Sequence, residues 1–172
     1  MGTEIVKKMG YSGKQIFALT FLRVLIGWHF LYEGLVKIYT PGWSAGAYLE
    51  GATGPFSGLF KNLAQQDVVL SIVDLLNAWG LALVGFGLFV GLFSKACKIF
   101  GILLLALYYM AYPPFAGLDQ NVVAEGSYWI VNKNLIEIGA LVVLLVFPSS
   151  YITGLDKYLS EVKNMISGRN KK

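Results

Sequence analysis

The sequence predicts an all-α integral membrane protein: a four-helix transmembrane bundle with an extracytoplasmic loop helix and a cytoplasmic amphipathic C-terminal helix. Two observations indicate this fold class. The 172 residues are 56% hydrophobic and only 14% charged, whereas a soluble domain of this size carries far more charge. Four apolar runs, at about residues 15–39, 67–93, 96–112 and 128–147, approach or exceed the ~20 residues that a hydrocarbon core requires.

The first run, 15–39, is apolar enough to span a bilayer but carries four ionisable residues: Arg23, His29, Glu33 and Lys37. Each ionisable group inside the hydrocarbon costs a few kcal/mol or more, so each one needs a partner or a polar cavity. His29, Glu33 and Lys37 recur at every fourth position, which places them on one face of a helix. The other helices are expected to supply what this stripe faces.

Residues 40–66 form the longest loop, rich in glycine, alanine and aromatic residues. Leu59, Phe60 and Leu63 recur at helical spacing. We therefore predict a short helix at the membrane–water interface on the extracytoplasmic side.

The second run begins at Asp67, a plausible helix N-cap, and carries Asp74 and Asn77 near its outer end. Gly87 and Gly91 have the small-xxx-small spacing that lets membrane helices approach closely, and a packing role is expected for them.

The third run, 96–112, ends at a pair of prolines, and Lys98 near its start is expected to reach the interface with its long side chain. Its far end carries Tyr108 with two further tyrosines, a pattern typical of an interfacial aromatic belt. The fourth run, 128–147, has Lys133, Asn134 and Glu137 in its first half.

A cytoplasmic N-terminal segment, 1–14, precedes the membrane domain of 15–148, and a basic amphipathic tail, 149–172, follows it. Of fourteen Lys and Arg residues, ten fall on the side of the two termini, three fall on the other side, and Arg23 lies within the membrane. The positive-inside rule then predicts that both termini lie in the cytoplasm. In the same distribution the basic residues flank the membrane-spanning runs, where they face the lipid bilayer surface. This argues against a nucleic-acid partner.

Depth along each helix, at about 1.5 Å per residue, matches polar residues on different helices. Arg23 and Glu137 both fall near the midplane, so we predict an ion pair between them. The remaining polar residues form a column toward the outer surface: His29, Glu33, Lys37, Asp74, Asn77, Lys133 and Asn134.

Three interpretations of this column stay open. It is a hydrogen-bonded network that fixes helix packing, a pocket for a quinone or a similar small molecule, or a path for a proton or small solute. The chain has one histidine and one cysteine, so neither a metal nor a haem is expected. No catalytic residue is assigned.

Four stretches together resemble the DoxX/DoxD family of small four-helix membrane proteins. They are LRVLIGWHFLYEGLVKI, the loop GWSAGAYLEGATGPFSGLFKNLA, the junction GLFSKACKIFGILLLAL and YWIVNKNLIEIGALVVLL. The resemblance covers about residues 16–147, and the positions that match are Arg23, Gly27, Gly34, Lys37, Gly91, Lys95 and Asn134. Where many family members have a glutamate in the second helix, this chain has Leu81.

The resemblance implies a small subunit of a membrane redox system in the inner membrane. If the chain takes part in catalysis, the resemblance implies an accessory subunit of a quinone-linked oxidoreductase of the thiosulfate:quinone type, with quinone as the cofactor and a redox protein as the partner. The alternative is a non-catalytic membrane scaffold for another enzyme. The small-residue helix faces also permit a homo-oligomer.

Overall fold

A computed structural model describes residues 10–114 and 129–169, and these ranges contain helices and no strand. Most of the predicted N-terminal segment 1–14 and the end of the tail lie outside the described residues. Within the described residues eight helices follow one another: α1 Gly13–Tyr39, α2 Gly46–Glu50, α3 Ser57–Ala64, α4 Asp67–Val90, α5 Ser94–Ala111, α6 Lys133–Val146, α7 Ser150–Thr153 and α8 Asp156–Arg169.

Three of the predicted spans are confirmed as helices long and apolar enough to cross a membrane: α1, α4 and α5. The fourth, α6, has 14 residues and is about 21 Å long, which is short of a ~30 Å hydrocarbon core. It begins at Lys133, well after the predicted start near residue 128, because the Asn132 side chain caps it by accepting a hydrogen bond from the backbone N–H of Leu135, at 3.1 Å.

Helix boundaries elsewhere follow local capping. A capping box formed by Ser12 and Gln15 starts α1 two residues before the prediction. After α4, Gly91 has φ +72°, a left-handed conformation that ends this helix at Val90 rather than at the predicted residue 93. Asp67 is the first residue of α4 but does not cap it, since Gln66 occupies that position without a side-chain bond.

Glycines let α1 and α4 pack with their backbones nearly touching. A Cβ atom on Gly27 would lie 2.6 Å from the Phe89 nitrogen, and one on Gly34 would overlap the Ala82 backbone. On the α4 side, Gly85 faces the backbone of Leu31 in the same way. The predicted Gly87 and Gly91 pair does not form this interface, because Gly87 packs against Cys97 and Gly91 against Arg23.

The main core lies between the long helices and includes Phe30, Leu88, Leu105, Leu141 and Leu144, which are at most 3% exposed. The outward faces of the same helices expose large apolar side chains at helical spacing. On α1 these are Phe17, Phe21, Leu25, Trp28, Tyr32 and Val36. Such a face suits contact with lipid.

The two ends of the bundle differ, and we name them by what covers them. At the loop end, α2 and α3 fold over the helices and bury Ala45, Leu49, Ala52, Phe60 and Ala64 in a second small core. The predicted loop helix is thus confirmed by α3.

At the tail end, residues 149–156 fold back onto the bundle. The Leu155 and Asp156 backbone N–H groups donate to the carbonyls of Val90 and Gly91, and the Thr20 and Thr153 hydroxyls lie 2.7 Å apart. The predicted amphipathic helix follows as α8.

Candidate functional site

A cavity of about 330 Å³ opens at the loop end, between α1, α4, α5 and α6. This volume lies at the lower end of the range of small-molecule sites, about 300–1,000 Å³. The residues that line it are His29, Phe30, Glu33, Lys37, Trp43, Ser44, Ala45, Tyr48, Asn77, Leu81, Leu105, Tyr108, Lys133 and Asn134. The cavity therefore combines an apolar base with a polar side wall contributed mainly by α1.

Two ion pairs organise the polar wall. His29 Nδ1 lies 2.7 Å from Glu137 Oε1, which joins α1 to α6. Lys37 Nζ lies 2.7 Å from Glu33 Oε2 one turn away on α1, and it also stands 5.6 Å from the centre of the Trp43 ring. The first pair forms a titratable unit that can exchange a proton beside the cavity, and the second fixes a pair of opposite charges at its mouth.

The predicted ion pair between Arg23 and Glu137 is wrong. Glu137 pairs with His29, and Arg23 lies at the tail end, buried against Gly91 and Gly154. The error has a physical cause in the depth scale, which set the lower ends of α1 and α6 level. In the structure the His29–Glu137 pair lies farther from the tail-end terminus of α1 than from that of α6, so α1 extends farther at the tail end.

Two polar groups of the cavity lining have no hydrogen-bond partner. The Asn77 side chain lies beside the Tyr108 hydroxyl, but the Asn77 amide oxygen and the Tyr108 hydroxyl oxygen are both buried without a completed hydrogen bond. A buried polar atom without a partner is costly, so such atoms are satisfied by water or by a ligand. Neither oxygen has a partner in hydrogen-bonding geometry, although the Asn77 side chain is close enough to act on the Tyr108 hydroxyl.

The loop that follows α1 forms the roof, and polar contacts fasten it. The Asp74 carboxylate accepts a hydrogen bond from the Ala45 backbone N–H at 2.7 Å. The Tyr112 hydroxyl donates to the Tyr48 carbonyl, also at 2.7 Å. Burial, together with the neighbouring Tyr108 and Tyr112 hydroxyls, raises the pKa of Tyr48, so its hydroxyl stays protonated at neutral pH.

The nine residues predicted as pocket candidates fall into three groups. Six line the cavity: His29, Glu33, Lys37, Asn77, Lys133 and Asn134. Asp74 and Glu137 are outside the lining, but each contacts a residue that lines the cavity: Asp74 bonds to the Ala45 backbone N–H, and Glu137 pairs with His29. Arg23 is remote from the cavity.

Sequence reasoning missed Trp43, Tyr48 and Tyr108. Tyr108 was assigned to an interfacial belt, yet it faces inward. No sequence signal distinguished this position, because an aromatic residue near a helix end suits lipid and a cavity equally well.

Within residues 10–114 and 129–169, no three His, Cys, Asp or Glu side chains converge to hold a metal ion. The single cysteine, Cys97, is half-buried, and its thiol lies 3.7 Å from the Leu92 carbonyl, far from the roof.

Comparison of the chain with family models, with curated proteins and with solved structures gives no match.

Proposed function

We propose that the chain is a DoxX-type membrane protein whose cavity binds the head group of a quinone or a similar small carbonyl compound. In this proposal α6 completes a four-span bundle in the cytoplasmic membrane, both termini are cytoplasmic, and the loop end faces outward. The distribution of Lys and Arg supports this orientation, and the four stretches listed above support the family.

One observation carries the ligand proposal: an unpartnered hydroxyl and an unpartnered amide oxygen meet inside an apolar cavity. The Tyr108 hydroxyl can donate to a quinone carbonyl, and the Asn77 oxygen can accept from a quinol hydroxyl. The same two groups therefore suit both redox forms of a quinone. The Phe30, Leu81 and Leu105 side chains supply apolar contact for the ring.

Reduction of a quinone to a quinol takes up two protons and two electrons. His29 lines the cavity and pairs with Glu137, so this pair can exchange a proton with a ligand bound there. In this proposal a partner redox protein supplies the two electrons. The chain then acts as a quinone-binding subunit rather than as a complete enzyme.

Titration of the purified protein with decylubiquinone tests this proposal. Trp43 lines the cavity, so quenching of tryptophan fluorescence reports binding. Tyr108→Phe removes one hydrogen bond worth about 1 kcal/mol and is expected to raise the Kd about fivefold. The matched control is Tyr109→Phe, whose hydroxyl donates to the Ile130 carbonyl outside the cavity.

His29→Ala is expected to weaken binding more strongly, because it also leaves Glu137 without its partner. Absence of saturable quenching in the wild-type protein would overturn the ligand proposal. Equal Kd values for the Tyr108→Phe and Tyr109→Phe variants would overturn the placement of the head group. A protein that binds no quinone but retains a co-purifying enzyme would instead support the scaffold alternative.

A further inference from the structure

A second group of buried polar side chains lies at the tail end, away from the cavity. Arg23 of α1 and Lys98 of α5 are each 1% exposed, and Asp156 at the start of α8 is 6% exposed. Ser94, Ser149 and Ser150 are buried beside them. We call these six residues the tail-end cluster.

Most hydrogen bonds of the tail-end cluster can be accounted for. Lys98, which was expected to reach the interface, is buried instead and donates to the Leu144 carbonyl at 3.0 Å. The Asp156 carboxylate accepts from the Ser94 backbone N–H at 3.1 Å, and the Ser94 and Ser150 hydroxyls lie 2.7 Å apart.

Arg23 and Ser149 are the exceptions. The Arg23 Nε and Nη1 atoms and the Ser149 hydroxyl are buried without a hydrogen-bond partner. The guanidinium group is held in place by glycines, since a Cβ on Gly91 would overlap Nη1 and one on Gly154 would lie 2.9 Å from it. Arg23 thus presents fixed, unused donors.

The charges of the tail-end cluster do not balance. Arg23 and Lys98 are two buried cations, and Asp156 is the one buried carboxylate among the described residues. Among the described residues the ion pairs closer than 4 Å are both at the loop end, so Asp156 does not contact the Arg23 guanidinium directly. Two buried cations facing one carboxylate leave an excess of one positive charge, which is costly away from water.

We propose that the tail-end cluster binds one small monovalent anion, such as chloride, through the unpartnered edge of Arg23. An anion of single charge removes the excess positive charge. It also accepts hydrogen bonds from the Arg23 N–H groups that otherwise have no partner. The near-complete burial of both cations favours an ion of halide size over a lipid phosphate group, which is larger and carries its own polar neighbours. The site is separate from the cavity and does not depend on the proposed quinone.

Thermal unfolding of the full chain in detergent tests the site. The protein is scanned at increasing sodium chloride while sodium gluconate keeps the ionic strength constant. A ligand that binds the folded state raises the Tm with its concentration, so chloride and bromide are expected to raise the Tm to a plateau that gluconate does not produce. Chloride-35 NMR line broadening that bromide reverses provides the direct measure of binding.

Lys98→Met is expected to raise the chloride Kd at least tenfold. Lys95→Met is the matched control, because Lys95 lies one turn earlier on the same helix, is exposed and changes the net charge equally. Arg23→Gln is expected to abolish binding. If the variants do not fold, the wild-type halide series still decides the question. No difference between chloride and gluconate in the wild-type protein, or equal effects of Lys95→Met and Lys98→Met, would overturn the proposal.

Discussion

The loop end and the tail end of the bundle both bury charged groups, but they do so in opposite ways. At the loop end Glu33, Lys37, His29 and Glu137 form two close pairs around a cavity. At the tail end Arg23 and Lys98 are buried near one carboxylate, Asp156, without forming a close ion pair, and Arg23 packs against glycine backbone.

Since α1 contributes to both ends, its polar residues, which read as one stripe in the sequence, belong to two sites of different character. Charges that are paired, as at the loop end, suit a neutral polar ligand. Charges that do not balance, as at the tail end, attract an ion.

The largest expected effect is the loss of the tail-end carboxylate. Asp156→Ala leaves two buried cations uncompensated and is expected to lower the free energy of unfolding by about 3 kcal/mol. Glu33→Ala, at the loop end, removes a carboxylate that is 44% exposed at the side chain, so a loss of about 0–1 kcal/mol is expected. Thermal or denaturant unfolding of the two variants in one detergent compares them, and equal losses would contradict the distinction between the ends.

Alanine substitution of one glycine at each end compares the two ends a second time. Gly91 at the tail end has φ +72° and Gly42 at the loop end has φ +70°, so alanine costs about 1–2 kcal/mol at either position through backbone strain. Only Gly91 also abuts Arg23, whereas a Cβ on Gly42 meets nothing within 4 Å. Gly91→Ala is expected to destabilise more than Gly42→Ala, and unfolding midpoints measure the difference. Equal shifts would show that the Arg23 side chain moves aside freely.

The roof of the cavity provides a local effect that is confined to the loop end. Asp74→Ala removes the acceptor for the Ala45 N–H, a charge-assisted bond worth about 1.5–3 kcal/mol, so residues around α2 are expected to open more readily. Hydrogen exchange of residues 44–50 should accelerate while the tail end is unaffected. Acceleration at both ends would mean that the ends open together. Asp67→Ala is the control, because Asp67 is exposed on the same helix.

The smallest expected effect is a pH dependence of the roof. The pKa of Tyr48 is raised above its ordinary value of 10.0, so the unfolded chain loses this proton at lower pH than the folded chain does. The contribution of Tyr48 to stability is therefore complete below about pH 10 and declines as the pH rises through the folded pKa. Tyr48→Phe is expected to reduce the alkaline loss of stability, measured by unfolding between pH 8 and 11 or so. An unchanged profile would assign that loss to other groups.

The helices were predictable from sequence because periodicity and length report burial directly. The amphipathic tail, the loop helix α3 and the three long spans all carry that signal. Six cavity residues were also predictable, because ionisable and amide side chains in an apolar helix must face one another.

Partner choice was not predictable, since a rise per residue locates a side chain along its own helix and says nothing of how far two helices are offset. The sequence therefore predicted an ion pair between Glu137 and Arg23, whereas in the structure Glu137 pairs with His29. The contribution of Tyr108 was hidden for a related reason, since an aromatic near a helix end suits lipid and cavity equally well. Lys98 was hidden because its partner is the Leu144 carbonyl, a backbone group that no residue pattern reveals.

The return of the chain onto the end of α4 has a consequence for biosynthesis. The carbonyls of Val90 and Gly91 receive their hydrogen bonds from the N–H groups of Leu155 and Asp156, which the ribosome adds only after α5 and α6 are made. Until then the α1–α4 hairpin has an unsatisfied carboxyl end and an uncovered Arg23. The bundle therefore completes its tail end last, and a ribosome that stops before Leu155 releases a protein whose first hairpin is unfinished.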